Sequence, residues 1–289
     1  MTNLIQPSNS ITPLFYSGVP DMTGDDNDAL SFDVVDFANM CIEAVYVIDF
    51  VKRKFHFVGC HDFFLCGHSV DEVMSLGYDF YSEIIPSKDL PLMENIHAAI
   101  LQRLQTMDHP EAINYFSFSI HIRNGSKYVM AYHKIKPVFV HGHLRYGICL
   151  LVNSVMKRSG HLCAYYFDNT VYDEYKPSIG RWLRHKVQLL TDREKDVLIL
   201  AKQGKSHKEI ADTLSITHQS VRNILTSLYN KFNVNSTMQA VIYATNRRLV
   251  YSASKCSNFQ EMGLPPTYKR KLSKQVESQY KNRNSVHLY

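Results

Sequence analysis

Between residues 208 and 232 the chain reads KEIADTLSITHQSVRNILTSLYNKF. Val221, Ile224, Leu225, Leu228 and Phe232 return at steps of three and four, which predicts an amphipathic helix with one buried stripe. Arg222, Asn223 and Thr226 fall on the face that this stripe avoids. Another period governs the residues before it. In INYFSFSIHIR (113–123), Phe116, Phe118, Ile120 and Ile122 alternate with Tyr115, Ser117, Ser119 and His121, as a half-buried antiparallel strand requires. VYVIDF (45–50), KFHFVGC (54–60), KYVMAYHKIKPVFV (127–140) and HLRYGICLLVNSV (143–155) read as four more strands, with NGS and HG as hairpin turns. From His68 to about Gln105 the pattern is helical, broken at IIPSKDLP by two prolines, and a short helix is expected at DVVDFANM.

After residue 190 the polar positions themselves carry the signal. Thr191 with Glu194, Ser206 with Glu209 and Ser236 with Gln239 have capping-box spacing, and Thr217 with Ser220 suits the start of the quoted helix. Gly204 stands where the first of these helices should stop. Each cap stabilises its helix by about 1 kcal/mol, so four starts in so short a stretch predict four short, sharply bounded helices. The second and third are joined only by Ser215, Ile216 and Thr217, which is helix-turn-helix geometry, with Ala211 small where the two must approach. Ile210, Leu214, Ile216, Val221 and Leu225 are the expected shared core.

Charge adds a division of labour. Of the 32 Lys and Arg and 27 Asp and Glu, residues 1–180 hold 13 and 20, residues 181–250 hold 12 and 5, and residues 251–289 hold 7 and 2. An acidic front and a basic back point to a polyanionic partner for the back, although a basic tail also serves solubility alone. No run of apolar residues is long enough for a membrane helix. The N-terminus lacks the basic start and apolar block of a secretory signal, and six scattered cysteines suit a reducing compartment, so a cytoplasmic location is expected.

The order strand, strand, helices, three strands resembles a PAS domain, and GHSVDEVMSLGYDFYSEIIPSKDL looks like the helical segment such domains carry after their second strand. More closely, LTDREKDVLILAKQGKSHKEIADTLSITHQSVRNILTSLYNKFNVNSTMQAVIYA resembles the DNA-binding domain of the LuxR/FixJ/NarL family. The resemblance is carried by LTDRE, Gly204, KEIA, the step from Thr217 to Val221, KF-NV and QAV. The family commonly has lysine where Arg222 stands, histidine at Ile224 and arginine at Thr237. Arginine keeps the charge and adds a bidentate fork, whereas the other two departures remove polar groups.

The expected architecture is therefore a flexible leader (1–33) and an α+β PAS-like domain with a five-stranded antiparallel sheet and inserted helices (34–156). A connecting segment (157–183), an all-α four-helix LuxR-type helix-turn-helix domain (184–250) and a disordered basic tail (251–289) follow. The resemblance implies that Arg222, Asn223 and Thr226 face base edges of double-stranded DNA. Thr217, Gln219 and Ser220 at the helix start, with Lys205 and Lys208, suit phosphates. It also implies a homodimer through the fourth helix, where Met238, Val241 and Ile242 exceed what a small core needs; packing against the first helix is the alternative.

For the front domain the resemblance implies a small ligand, a haem or flavin, or dimerisation, and the sequence selects none of these. A flavin-photoreceptor Asn-Cys-Arg-Phe-Leu signature is missing, and Cys60, His61, Cys66 and His68 lack the doubled spacing of a zinc site, so no metal is expected; DNA binding needs no cofactor, and whether the front domain holds one stays open. Nor is catalysis: the chain has no Walker loop, GxSxG or HExxH. A phospho-receiver pattern and the tryptophan-rich pattern of acyl-homoserine-lactone receptors are also missing. The function expected is a sequence-specific transcriptional regulator. An adaptor whose two parts both bind proteins, RNA polymerase for example, is the alternative.

Overall fold

The alternation in the strands is realised in one antiparallel sheet. The computed structural model describes residues 34–167, 170–187, 189–247 and 249–250; the expected leader and tail and Arg248 lie outside the described residues. A short helix, α1 (Val34–Met40), leads into β1 (Ala44–Asp49) and β2 (Lys54–Val58). Four helices follow: α2 (Asp62–Leu65), α3 (Val70–Leu76), α4 (Phe80–Ile84) and α5 (Leu90–Thr106). As the two prolines predict, α4 stops at Ile84 and α5 restarts with Pro91 in its first turn, where a missing N–H costs nothing. Then come β3 (Ile113–Asn124), β4 (Lys127–Val140) and β5 (His143–Asn153).

The sheet does not end there. Where a connecting segment was expected, β6 (Gly160–Tyr166), β7 (Val171–Lys176) and β8 (Arg181–Lys186) extend it to eight strands in the order β2-β1-β5-β4-β3-β6-β7-β8. The five-stranded expectation is corrected on this point. Its cause is that YYFDNTVYDEYKPSIGRWLRHK mixes charges with tyrosines, so neither face reads as apolar. These strands are held by aromatic and ionic pairing instead, and the edge strand β8 carries Arg181, Arg184 and Lys186, which discourage further pairing.

One face of the sheet packs against the helices. Phe116, Phe118, Ile120 and Ile122 are fully buried there, with Tyr46, Ile48, Ile135, Cys149 and Leu151. From α5, Met93, Ile96, Ile100 and Leu104 face them at helical spacing. Tyr46 and Phe64 stack at 4.1 Å, with Phe55 and Phe80 edge-on to Phe64. The opposite face is less open than a simple alternation predicts, for Ser117 and Ser119 are each only 1% exposed.

Four further helices follow: α6 (Asp192–Lys202), α7 (His207–Leu214), α8 (His218–Phe232) and α9 (Thr237–Asn246). They close around Val197, Leu198, Ile210, Ala211, Val221, Leu225, Leu228 and Phe232. Among the described residues, no helix is long and apolar enough to cross a membrane.

Candidate nucleic-acid interface

The helix boundaries of the carboxy-terminal part follow from side chains that satisfy the free N–H groups of each first turn. Thr191 with Glu194 and Ser206 with Glu209 form complete capping boxes at the starts of α6 and α7. Thr217 Oγ1 accepts the Ser220 N–H at 3.0 Å at the start of α8. At α9 only half of the expected box forms. Ser236 caps the Gln239 N–H, but the Gln239 side chain reaches one residue further back and accepts from Asn235 N–H at 2.9 Å. Gly204, at φ +82°, ends α6: its N–H donates to the Ala201 carbonyl and that of Lys205 to Leu200. Ser215 ends α7 in the same left-handed conformation, at φ +51°, and sets the sharp turn into α8.

With α7 and α8 so fixed, Gln219, Arg222, Asn223 and Thr226 lie exposed at positions i, i+3, i+4 and i+7 of α8, which is one face. Gln219 Nε2 donates to Asn223 Oδ1 at 2.9 Å, ordering two amides along that face. Thr217 and Ser220 stand at its N-terminal end with hydroxyls 2.8 Å apart, and both serve the cap. Lys208 is exposed on the first turn of α7 and Lys205 is half-buried just before it. The structure thus gathers seven of the eight candidate residues onto or beside α8 and the α7 start, with Lys205 at their margin. Ile224 turns inward against the helical core. Thr237 becomes a tie, its hydroxyl 2.6 Å from Tyr229 Oη and 3.4 Å from His207 Nε2.

Not every base of the sequence is free to meet a polyanion. Lys231 donates to both carboxylate oxygens of Glu194, at 2.9 and 3.0 Å. Burial pushes the Glu194 carboxyl up, but the hydrogen bonds from Lys231 and Thr191 outweigh it and hold the group below its usual range. Arg247, just after α9, turns toward the sheet. Its guanidinium lies 3.9 Å from the Tyr243 ring centre and 5.2 Å from that of Tyr132 in β4. Beside it Asn246 Nδ2 donates to the Asn153 carbonyl at 3.0 Å, and Val155 packs on the helical core. No local pattern foretells this contact, because its partners are about a hundred residues apart. On α9 Met238 is 68% exposed and Ile242 half-buried, whereas Val241 packs on the helical core.

Between sheet and helices the apolar core holds a polar island. Tyr46 Oη and His133 Nδ1 are 3.3 Å apart, His133 stacks on Phe118 at 4.7 Å, and His97 meets Phe118 and Tyr81 edge-on. Burial brings His97 down to about 4. Burial and the neighbouring His97 bring His133 to about 3, so both rings are neutral at pH 7. The tempting cysteines and histidines do other work. His61 Nδ1 accepts the Phe63 N–H at the start of α2, Cys66 donates to the Arg123 carbonyl, and His68 packs on Phe80.

Residues 188–244 match the family GerE, bacterial regulatory proteins of the luxR family. Two similar proteins are the transcriptional regulatory protein DesR of Bacillus subtilis, 40% identical over 67 residues, and LiaR of the same organism, 39% identical over 61. The first alignment spans 23% of this chain and 34% of DesR, the second 21% and 29% of LiaR, so the chain spans about a third of the length of the relatives it matches. Among solved structures, a Vibrio cholerae VqmA dimer in the absence of target DNA is 15% identical. That alignment covers 72% of this chain and 84% of the other at a TM-score of 0.29, a likeness too low to carry structural argument. The carboxy-terminal helices are a LuxR-type helix-turn-helix domain.

Proposed function

We propose that the chain is a sequence-specific DNA-binding transcriptional regulator, in which α8 enters the major groove and the sheet domain, of PAS type, senses a small ligand or brings two copies together. The observation that carries this reading is the single exposed face of Gln219, Arg222, Asn223 and Thr226, held by a capped helix in a domain that matches the luxR family. A B-form major groove admits one α-helix, read chiefly by its N-terminal half. Arg222 then pairs with guanine O6 and N7 and Asn223 with adenine N6 and N7, while Thr217, Ser220, Lys205 and Lys208 meet phosphates. The sheet order β2-β1-β5-β4-β3, with all inserted helices between β2 and β3, supports the PAS reading of the front part.

The Arg247 contact gives the two parts a common element. An arginine shared by Tyr132 of the sheet and Tyr243 of α9 lets a change in the sheet alter how α9, and through it α8, is held. Met238 and Ile242 on α9 are the residues through which two copies meet.

The test is selection from randomised duplexes at two salt concentrations, with Arg222→Ala run beside the native protein. A two-fold symmetric site that the variant no longer prefers supports the reading. Retention that ignores sequence and vanishes with salt means phosphate attraction alone and puts the protein adaptor reading ahead. Unchanged affinity in Arg247→Gln would remove the coupling through that contact.

A further inference from the structure

On the sheet face away from α2–α5 lies a second feature that the DNA-reading account does not use. Between α1 and the sheet is a cavity of about 250 Å³ lined by Phe37, Asn114, Tyr115, Lys134, Lys136, Ile148 and Leu150. The register explains its make-up. Lys134 and Lys136, two residues apart on β4, point to the same face; β5 sets Leu150 and Ile148 directly opposite them, and β3 brings Tyr115 alongside. The walls are therefore aliphatic on one side and aromatic on the other, with two ammonium groups and the Asn114 amide as the polar part of the lining. Phe37 of α1 supplies the remaining wall.

Lys136, set in so apolar a place, calls for an anion. Lys136 is half-buried, and among the described residues it makes no ion pair; its ammonium lies 4.3 Å from the Phe167 ring centre. Burial brings its pKa down to about 8, so it remains mostly cationic at pH 7 while poorly solvated. Lys134 lies between rings, 5.6 Å from Tyr115 and 5.8 Å from Tyr132. A buried cation is stabilised chiefly by an opposite charge at short range.

We propose that this cavity is a binding site for a compact aromatic carboxylate, its carboxylate between Lys134 and Lys136 and its ring between Tyr115, Phe37 and the Ile148–Leu150 wall. The size argues for a small ligand, since the cavity falls below the usual range for drug-sized molecules. Among the described residues no arginine lines the site to offer the fork that phosphate favours, and its walls ask for an apolar body. It is separate from the buried island of Tyr46, His97 and His133 on the other face. Lys134 connects it to Tyr132, on which Arg247 also rests, but binding does not depend on the DNA-reading account.

Calorimetric titration of the full chain with 1-naphthoate, 1-naphthamide, octanoate and inorganic phosphate tests the assignment. Saturable 1:1 binding of naphthoate is expected, at least tenfold tighter than naphthamide, octanoate or phosphate. Lys136→Met should abolish it while raising the melting temperature of the free protein, since a poorly solvated charge is removed; Leu150→Trp should block it by filling the cavity. Absence of naphthoate binding to the native chain, equal binding of the amide, or binding unchanged in both variants would overturn the proposal. Tighter binding of octanoate or phosphate would overturn the ligand class.

Discussion

The helical domain satisfies the starts of its helices with partners three or four residues away. The sheet domain buries them and joins them across the fold. Thr191–Glu194, Ser206–Glu209 and Thr217–Ser220 are of the first kind. Of the second is Asp173 on β7, which accepts from Arg103 of α5, from Tyr166 Oη at 2.5 Å and from Arg184 Nε at 2.8 Å. Burial pushes the Asp173 carboxyl up, and the hydrogen bonds from Arg184 and Tyr166 more than reverse this. Asp49 likewise meets Arg145 at 3.1 Å with both side chains nearly inaccessible, while also accepting the N–H groups of Val51 and Lys52. The difference teaches where each domain is vulnerable. Local caps fail singly at modest cost, whereas a buried group that loses its partner destabilises everything packed around it.

Acid should separate the two most strongly. His97 and His133 are neutral in the folded sheet domain but protonate near pH 6.5 once unfolded. Their contribution to stability is present above that value and is lost as pH falls below it. His97 alone accounts for about 3 kcal/mol by pH 4. The Glu194 carboxyl is depressed, so its contribution holds above the usual carboxylate range and fades only as pH falls through the lower folded value. Fluorescence of Trp182, the only tryptophan, reports the sheet domain. It should change at higher pH than the far-ultraviolet circular dichroism of the remaining helices, and His97→Leu should move it toward acid. Coincident transitions would break the comparison.

The next effect in size belongs to Asp173→Ala, which leaves Arg103 and Arg184 without their shared carboxylate. It should cost about 3 kcal/mol in urea unfolding followed by Trp182, while Thr217→Ala should cost about 1 kcal/mol in the helical transition. The smallest effect is a gain. Ser215→Gly places glycine at a left-handed turn position and should raise the stability of the helical domain by about 1 kcal/mol, read as a shift in its urea midpoint.

The same contrast explains what could be read beforehand. Caps, the glycine stop and the apolar stripe of α8 are codes written within a few residues, so the four helices and the exposed face of Arg222 were legible in the sequence. All five expected strands lie within two residues of their true ends for the same reason, the hairpin turns being local. The extension by β6–β8 was not legible, because it depends on Tyr115, Tyr165, Tyr172 and His185 stacking side by side from four different strands, at 4.9, 5.5 and 5.2 Å. The same holds for Arg247, one of the 12 bases of residues 181–250, which the fold sets over the ring of Tyr132. A residue's sequence neighbours do not say which strand will lie beside it.

The most direct test of the central claim is a binding profile of the full chain against its selected duplex and every single-base-pair variant of it, for the native protein and Arg222→Ala. The variant should lose discrimination at one base pair per half-site, by about 1–3 kcal/mol, and keep the native preference elsewhere. A uniform loss across all positions would make Arg222 a phosphate contact and contradict the reading of α8 as the helix that specifies sequence.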